Sequence, residues 1–99
     1  MATKKLKILG YDYSLRATPP IDSGGMEQAG RLIIGKQLMY YDPTQNQQSQ
    51  ESAILYEIIE ALNYHLETSL PHQTIMSLEA GLYQALTSNG VDLSVLIKR

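Results

Sequence analysis

Ile54-Leu55-Tyr56-Glu57-Ile58-Ile59-Glu60-Ala61-Leu62-Asn63-Tyr64-His65-Leu66 sets Ile54, Leu55, Ile58, Ile59, Leu62 and Leu66 at spacings of 1, 4, 5 and 8. At about 100° per residue these side chains share one side, which predicts an amphipathic helix with that side on a core. Upstream, Asp42-Pro43-Thr44-Gln45-Asn46-Gln47-Gln48-Ser49-Gln50 is polar and reads as a plain loop leading into the helix start. Ser49 can accept from an orphan amide as N-cap and Glu51 suits the positive end of the dipole, so the helix is expected over about residues 49–68. Downstream, Pro71 can sit in a first helical turn and Asn89-Gly90 offers the left-handed residue that ends a helix. The second helix therefore runs over about 71–88, with an apolar line of Ile75, Leu78, Leu82 and Leu86, Met76 and Tyr83 at its margin, and Gly81 allowing close approach of a neighbour. The two form an antiparallel hairpin.

The N-terminal half reads as β. Residues 5–17 alternate loosely, with Leu6, Ile8, Tyr11, Tyr13 and Leu15 among polar neighbours, and suit one long strand kinked at Gly10. Pro19-Pro20 and Ser23-Gly24-Gly25 break the pattern and predict a mobile connection. Arg31-Leu32-Ile33-Ile34 and Gln37-Leu38-Met39-Tyr40-Tyr41 flank Gly35-Lys36, either as a hairpin or as a bulged approach of the first piece to the second. Tyr40 and Tyr41 then point to opposite faces. Strands first and helices afterwards give an α+β domain over 1–99: a small twisted sheet of about three strands, covered on one face by the helix hairpin. The tail from Val91 to Ile97 is apolar enough to dock, with its type open.

With 99 residues the chain reads as one domain, and a formal net charge of -2 with 18% charged residues describes an ordinary globular composition. All 7 aromatic residues are tyrosines, which suggests an aliphatic interior. The absence of cysteine excludes disulfides and thiolate metal sites. No apolar run approaches the roughly 20 residues of a membrane span, and Leu6-Lys7-Ile8-Leu9 is too short for a signal core, so a cytoplasmic protein is expected. Eight basic against 10 acidic residues leave no strong field for phosphate backbones, so nucleic acid is not an expected partner.

The helix segment Leu55-Tyr56-Glu57-Ile58-Ile59-Glu60-Ala61-Leu62 resembles the zinc-binding helix of small, often phage-borne, gluzincin-like metallopeptidases, whose pattern is roughly L-H-E-I-I-H-A-L. Ile75-Met76-Ser77-Leu78-Glu79-Ala80-Gly81-Leu82-Tyr83-Gln84-Ala85-Leu86 is similar to the I-x-x-L-x-x-G-L-Y-Q-V-L of the same family. Lys7-Ile8-Leu9-Gly10-Tyr11-Asp12-Tyr13 and Lys36-Gln37-Leu38-Met39-Tyr40-Tyr41-Asp42 match its strand segments in character, so the likeness covers residues 6–90. The resemblance implies a zincin-like fold. In the family's motif two histidines one turn apart bind Zn²⁺ and the intervening glutamate acts on the zinc-bound water as general base.

Carried onto this chain, the histidine positions hold Tyr56 and Glu60, and only Glu57 keeps the general-base residue. The third ligand, a glutamate at the start of the second helix, aligns with Gln73; a one-residue slip brings in His72, and hairpin geometry alone would let Glu79 face Glu60. A phenol titrating near 10 and a neutral amide are poor zinc ligands, so no metal or other cofactor is expected and Glu57 is a vestigial base. Each residue also has a plain reading. Tyr56, Glu57 and Glu60 suit a solvated helix face, His65 a packed flank position, and His72 a first-turn surface position.

The favoured reading is a catalytically inactive, metallopeptidase-like binding or regulatory module. A protein or peptide would occupy the groove between the first helix and the last strand by strand addition. A second reading is a metal-dependent hydrolase in which Glu60, Glu79 and His72 hold a hard cation and Glu57 remains the base. A third is a structural subunit that self-associates through its sheet edge.

Overall fold

The computed structural model describes residues 3–19, 21–23, 26–28 and 30–97. Strand β1 spans Thr3–Ile8 and β2 spans Tyr11–Ala17. They form an antiparallel hairpin in which Ile8 faces Tyr11, so the single kinked strand expected over 5–17 is two strands. The turn residues Leu9 (φ 51°) and Gly10 (φ 84°) both adopt the left-handed conformation of a tight two-residue hairpin turn. Such a turn keeps Leu6, Ile8, Tyr11 and Tyr13 on one face, which is why the alternation resembles a continuous strand with one skipped step.

The connection that follows is not irregular throughout: β3 (Ile21–Ser23) and β4 (Met26–Gln28) pair antiparallel, while Pro20, Gly24 and Gly25 lie outside the described residues. Paired glycines signal a break and equally a hairpin connection, and three-residue strands are too short for periodicity to register. Strand β5 (Gly30–Ile33) then turns through a 3-10 segment, Ile34–Lys36, into β6 (Leu38–Tyr41). The principal sheet has the order β1-β2-β6-β5, four strands instead of about three, with β2 and β6 parallel and the other neighbours antiparallel. The last strand is therefore internal, and the strand with a free edge beside the helices is β5.

Helix α1 runs Gln47–Leu66 and α2 runs His72–Ser88. Asn46, not Ser49, caps α1: its side chain accepts from the Ser49 amide at 2.9 Å. Asn and Ser are equivalent caps, and the glutamines between them fit the first turn. Pro71 is the extended residue just before α2, outside its first turn. Glu67 (φ 53°) closes α1, and after α2 Gly90 (φ 86°) takes the left-handed position expected of it. Among the described residues, no helix is long and apolar enough to cross a membrane.

Helix α1 is apolar on two sides. Ile54, Ile58, Ala61 and Leu62 meet Ile8, Tyr13, Leu15, Met39 and Tyr41 of the sheet, with Leu96 and Ile97 of the tail packed on the same cluster. Leu55 and Ile59 meet Ile75 of α2. The interior is thus not purely aliphatic: Tyr13 is 0% exposed and Tyr41 5%. The Tyr13 hydroxyl is satisfied by His65 Nε2 at 2.7 Å, and His65 stacks on Tyr11, which makes it the flank residue its position suggests. Tyr41 faces in and Tyr40, half-buried, faces out.

The sheet is covered by α1 and by the tail, whose 3-10 turn spans Leu93–Leu96; α2 packs on α1. The sheet thus packs with the two-helix hairpin through α1, which carries α2 on its far side. Along α2 the side turned to α1 is Ile75, Glu79 and Tyr83, whereas Leu78 and Leu82 are 43% and 42% exposed. Two polar contacts set that rotation: Tyr83 donates to buried Glu51 at 2.8 Å and Ser52 donates to Glu79 at 2.7 Å. Gly81 has no neighbour within 4 Å of where a Cβ would stand, so it admits no close approach.

Candidate functional site

The polar side chains of the helix motif gather where α1, the N-terminus of α2 and β5 meet. The Tyr56 hydroxyl donates to Glu60 Oε2 at 3.0 Å and lies 2.5 Å from His72 Nδ1. With the phenol proton directed to the carboxylate, Nδ1–H of His72 donates to the phenol oxygen. A hydrogen-bonded chain Glu60, Tyr56, His72 therefore ties α1 to α2. Burial and the Glu60 carboxylate push the Tyr56 hydroxyl well above the usual phenol range, which keeps its proton on.

His72 reaches this point because the inter-helix loop is fixed. Asn63 Oδ1 accepts from the Leu70 amide at 2.8 Å and from the Thr68 hydroxyl at 2.6 Å, turning the chain back toward α1. Gln73, one residue on, is exposed and does not line the groove. A step of about 100° around the helix separates the two, so His72 and not Gln73 is the side chain that meets Tyr56. Glu79 is turned to Ser52, about two turns further along α2, and does not join Glu60 and His72.

Glu57 departs from its plain reading as an exposed helical glutamate: it is 8% exposed. Its carboxylate lies against the start of β5, where a Cβ on Gly30 would stand 3.3 Å from Oε2. Among the described residues nothing forms a hydrogen bond or ion pair with it. Burial, and secondarily the Glu60 charge, push its carboxyl up to about 7. Tyr56 and Glu60 are half-buried, neither solvated outright nor in the core.

Two open grooves of about 550 Å³ and 680 Å³ meet at these residues, both bounded by Gly30, Tyr56, Glu57 and His72. Each falls in the size range of ligand sites. The first extends along Leu32 and Glu60, the second along Ser52 and Glu79. Gly30 and Asn63 carry no signal in the sequence, since one acts through a missing side chain and the other through a loop amide.

The residues do not fit a zinc ion. Of the three side chains that meet, one is a phenol held protonated, and its hydroxyl engages both the carboxylate and the imidazole that would otherwise serve as donors. Among the described residues no three His, Asp or Glu side chains are grouped so as to hold a metal ion. What the arrangement can do is cross-link two helices by hydrogen bonds and offer a partly covered carboxylate pair beside a free strand edge. Comparison with family models, with curated proteins and with solved structures found no match for the chain.

Proposed function

We propose that this chain is a binding module on a metallopeptidase-like scaffold, inert toward peptide bonds. Its groove between α1 and β5 takes an extended segment of a partner protein or peptide. The observation that carries this reading is the Tyr56 hydroxyl, which stands at one position where the resemblance implies a metal ligand and is hydrogen-bonded to Glu60 at another and to His72, next to the third at Gln73. Without a metal-activated water, Glu57 has no nucleophile to generate. Strand β5 supplies the rest: among the described residues it pairs with β6 alone, and an unpaired edge is a template for main-chain hydrogen bonds.

Selection from a random dodecapeptide display library tests the reading, with Gly30→Val as control. The parent enriches peptides that survive prolonged incubation uncut. Gly30→Val, whose side chain stands against Glu57 and Tyr40 at the mouth of the groove, captures none of them while keeping its circular dichroism spectrum. Cleavage of the captured peptides, or equal capture by the variant, contradicts it.

A further inference from the structure

We infer that the floor of this groove is a cation subsite: Glu57 and Glu60 receive the ammonium or guanidinium group of a basic side chain carried by the segment that adds to β5. The inference rests on the groove reading above and names what the groove selects.

Glu57 is nine-tenths buried, unpartnered among the described residues, and borders both grooves. A carboxylate withdrawn from water without a partner is costly, and buried charges are ordinarily paired. Among the described residues none pairs with Glu57. From residue 37 to residue 97 there is no lysine or arginine, while Asp42, Glu51, Glu57, Glu60, Glu67, Glu79 and Asp92 are all acidic. The helical layer is therefore uniformly anionic apart from its histidines, and His72 is engaged by Tyr56 while His65 is engaged by Tyr13.

The nearest strand does not fill the gap. Arg31 also borders the first groove, but it is exposed, alternates to the face of β5 opposite Gly30 and Leu32, and forms no ion pair with Glu57 or Glu60 among the described residues. A guest strand alternates in the same way, so one of its side chains is directed at the α1 side, into the groove that Gly30, Glu57 and Glu60 line. A metal ion is the poorer occupant, because the donors at hand are two carboxylates with no third grouped beside them. An alkylammonium or guanidinium needs only hydrogen-bond acceptors and space for its stem.

Amide chemical shifts of the full chain, titrated with n-butylammonium, n-butylguanidinium and 1-butanol at matched ionic strength, test this. Saturable shifts at Gly30, Glu57 and Glu60 are expected with the cations and not with the alcohol. The apparent affinity should weaken at least tenfold in Glu57→Gln/Glu60→Gln. Glu60→Gln alone, at a half-buried position, reads the same loss should the double variant fold poorly. The absence of saturable shifts, identical shifts with 1-butanol, or equal affinity in the variants overturns the subsite. The two cations rank lysine-like against arginine-like guests. Peptide display separates the levels. Selected peptides sharing a Lys or Arg at one aligned position support the subsite, and selected peptides with no basic position overturn it but leave the groove. Cation binding with no peptide selected leaves the subsite and overturns the groove reading.

Discussion

Tyr56 and Glu57 are neighbours in sequence and differ in what burial does to them. Tyr56 places its hydroxyl between two partners, so burial raises its deprotonation point and leaves a satisfied donor. Tyr56→Phe removes the link between α1 and α2; the partners it releases are half-buried or exposed and can turn to water, so the cost in urea unfolding is about 1 kcal/mol. Glu57 has no partner among the described residues, so its burial opposes ionisation. Its folded carboxyl titrates at about 7 against an ordinary 4.5, so between those values the folded chain binds more protons than the unfolded one and stability falls as pH rises. Glu57→Gln removes that slope. Its stability relative to the parent should grow by about 3 kcal/mol from pH 4.5 to pH 8, at about 1.4 kcal/mol per pH unit of displacement. A constant difference across that range would show the carboxylate to be neutralised by something else. Both side chains stand out in the sequence only against the motif that this helix resembles. That Glu57 is covered does not, because the cover is Gly30, a residue without a side chain on a strand 27 positions earlier.

At the scale of elements, periodicity located α1 and α2 to within two residues but misjudged which side of α2 is buried. Leu78 and Leu82 have the hydropathy of a core line, yet the helix is rotated so that Glu79 and Tyr83 face α1 with Ile75. A pattern of apolar residues cannot register that two polar pairs, Ser52 with Glu79 and Glu51 with Tyr83, are better satisfied facing inward. The partners of each pair lie on different helices. The consequence is measurable: Ile75→Ala, at a site 1% exposed, should cost about 2–4 kcal/mol in chemical unfolding. Leu78→Ala and Leu82→Ala should each cost less than about 1 kcal/mol, since large values require a buried site. The reverse ranking would restore the apolar line as the packed face. The β1–β2 turn was legible only as a disturbance at Gly10. Its identity as a hairpin depends on Leu9 also taking positive φ, which leucine rarely does.

Over the whole molecule, charge is sorted by layer. Residues 37–97 contain no lysine or arginine, so the described sheet carries Lys4, Lys5, Lys7, Arg16 and Arg31 while both helices are anionic. A modest net charge conceals this, because composition sums over layers that only folding separates. The strand-then-helix order made the α+β class readable, whereas the order β1-β2-β6-β5 was not, because the parallel pairing of β2 with β6 joins segments 24 residues apart. That order puts β5 at the edge and brings Gly30 to the motif helix, which makes a groove of the scaffold. The joint where β5, α1 and α2 meet is held by the Tyr56 hydroxyl, which we propose stands in place of a metal ligand. Zinc content after equilibration and dialysis, compared between the parent and Tyr56→His, tests this most directly. The substitution sets a second imidazole beside Glu60 and His72, so the variant should retain stoichiometric zinc while the parent retains none; stoichiometric zinc in the parent, or none in a folded variant, would contradict the account.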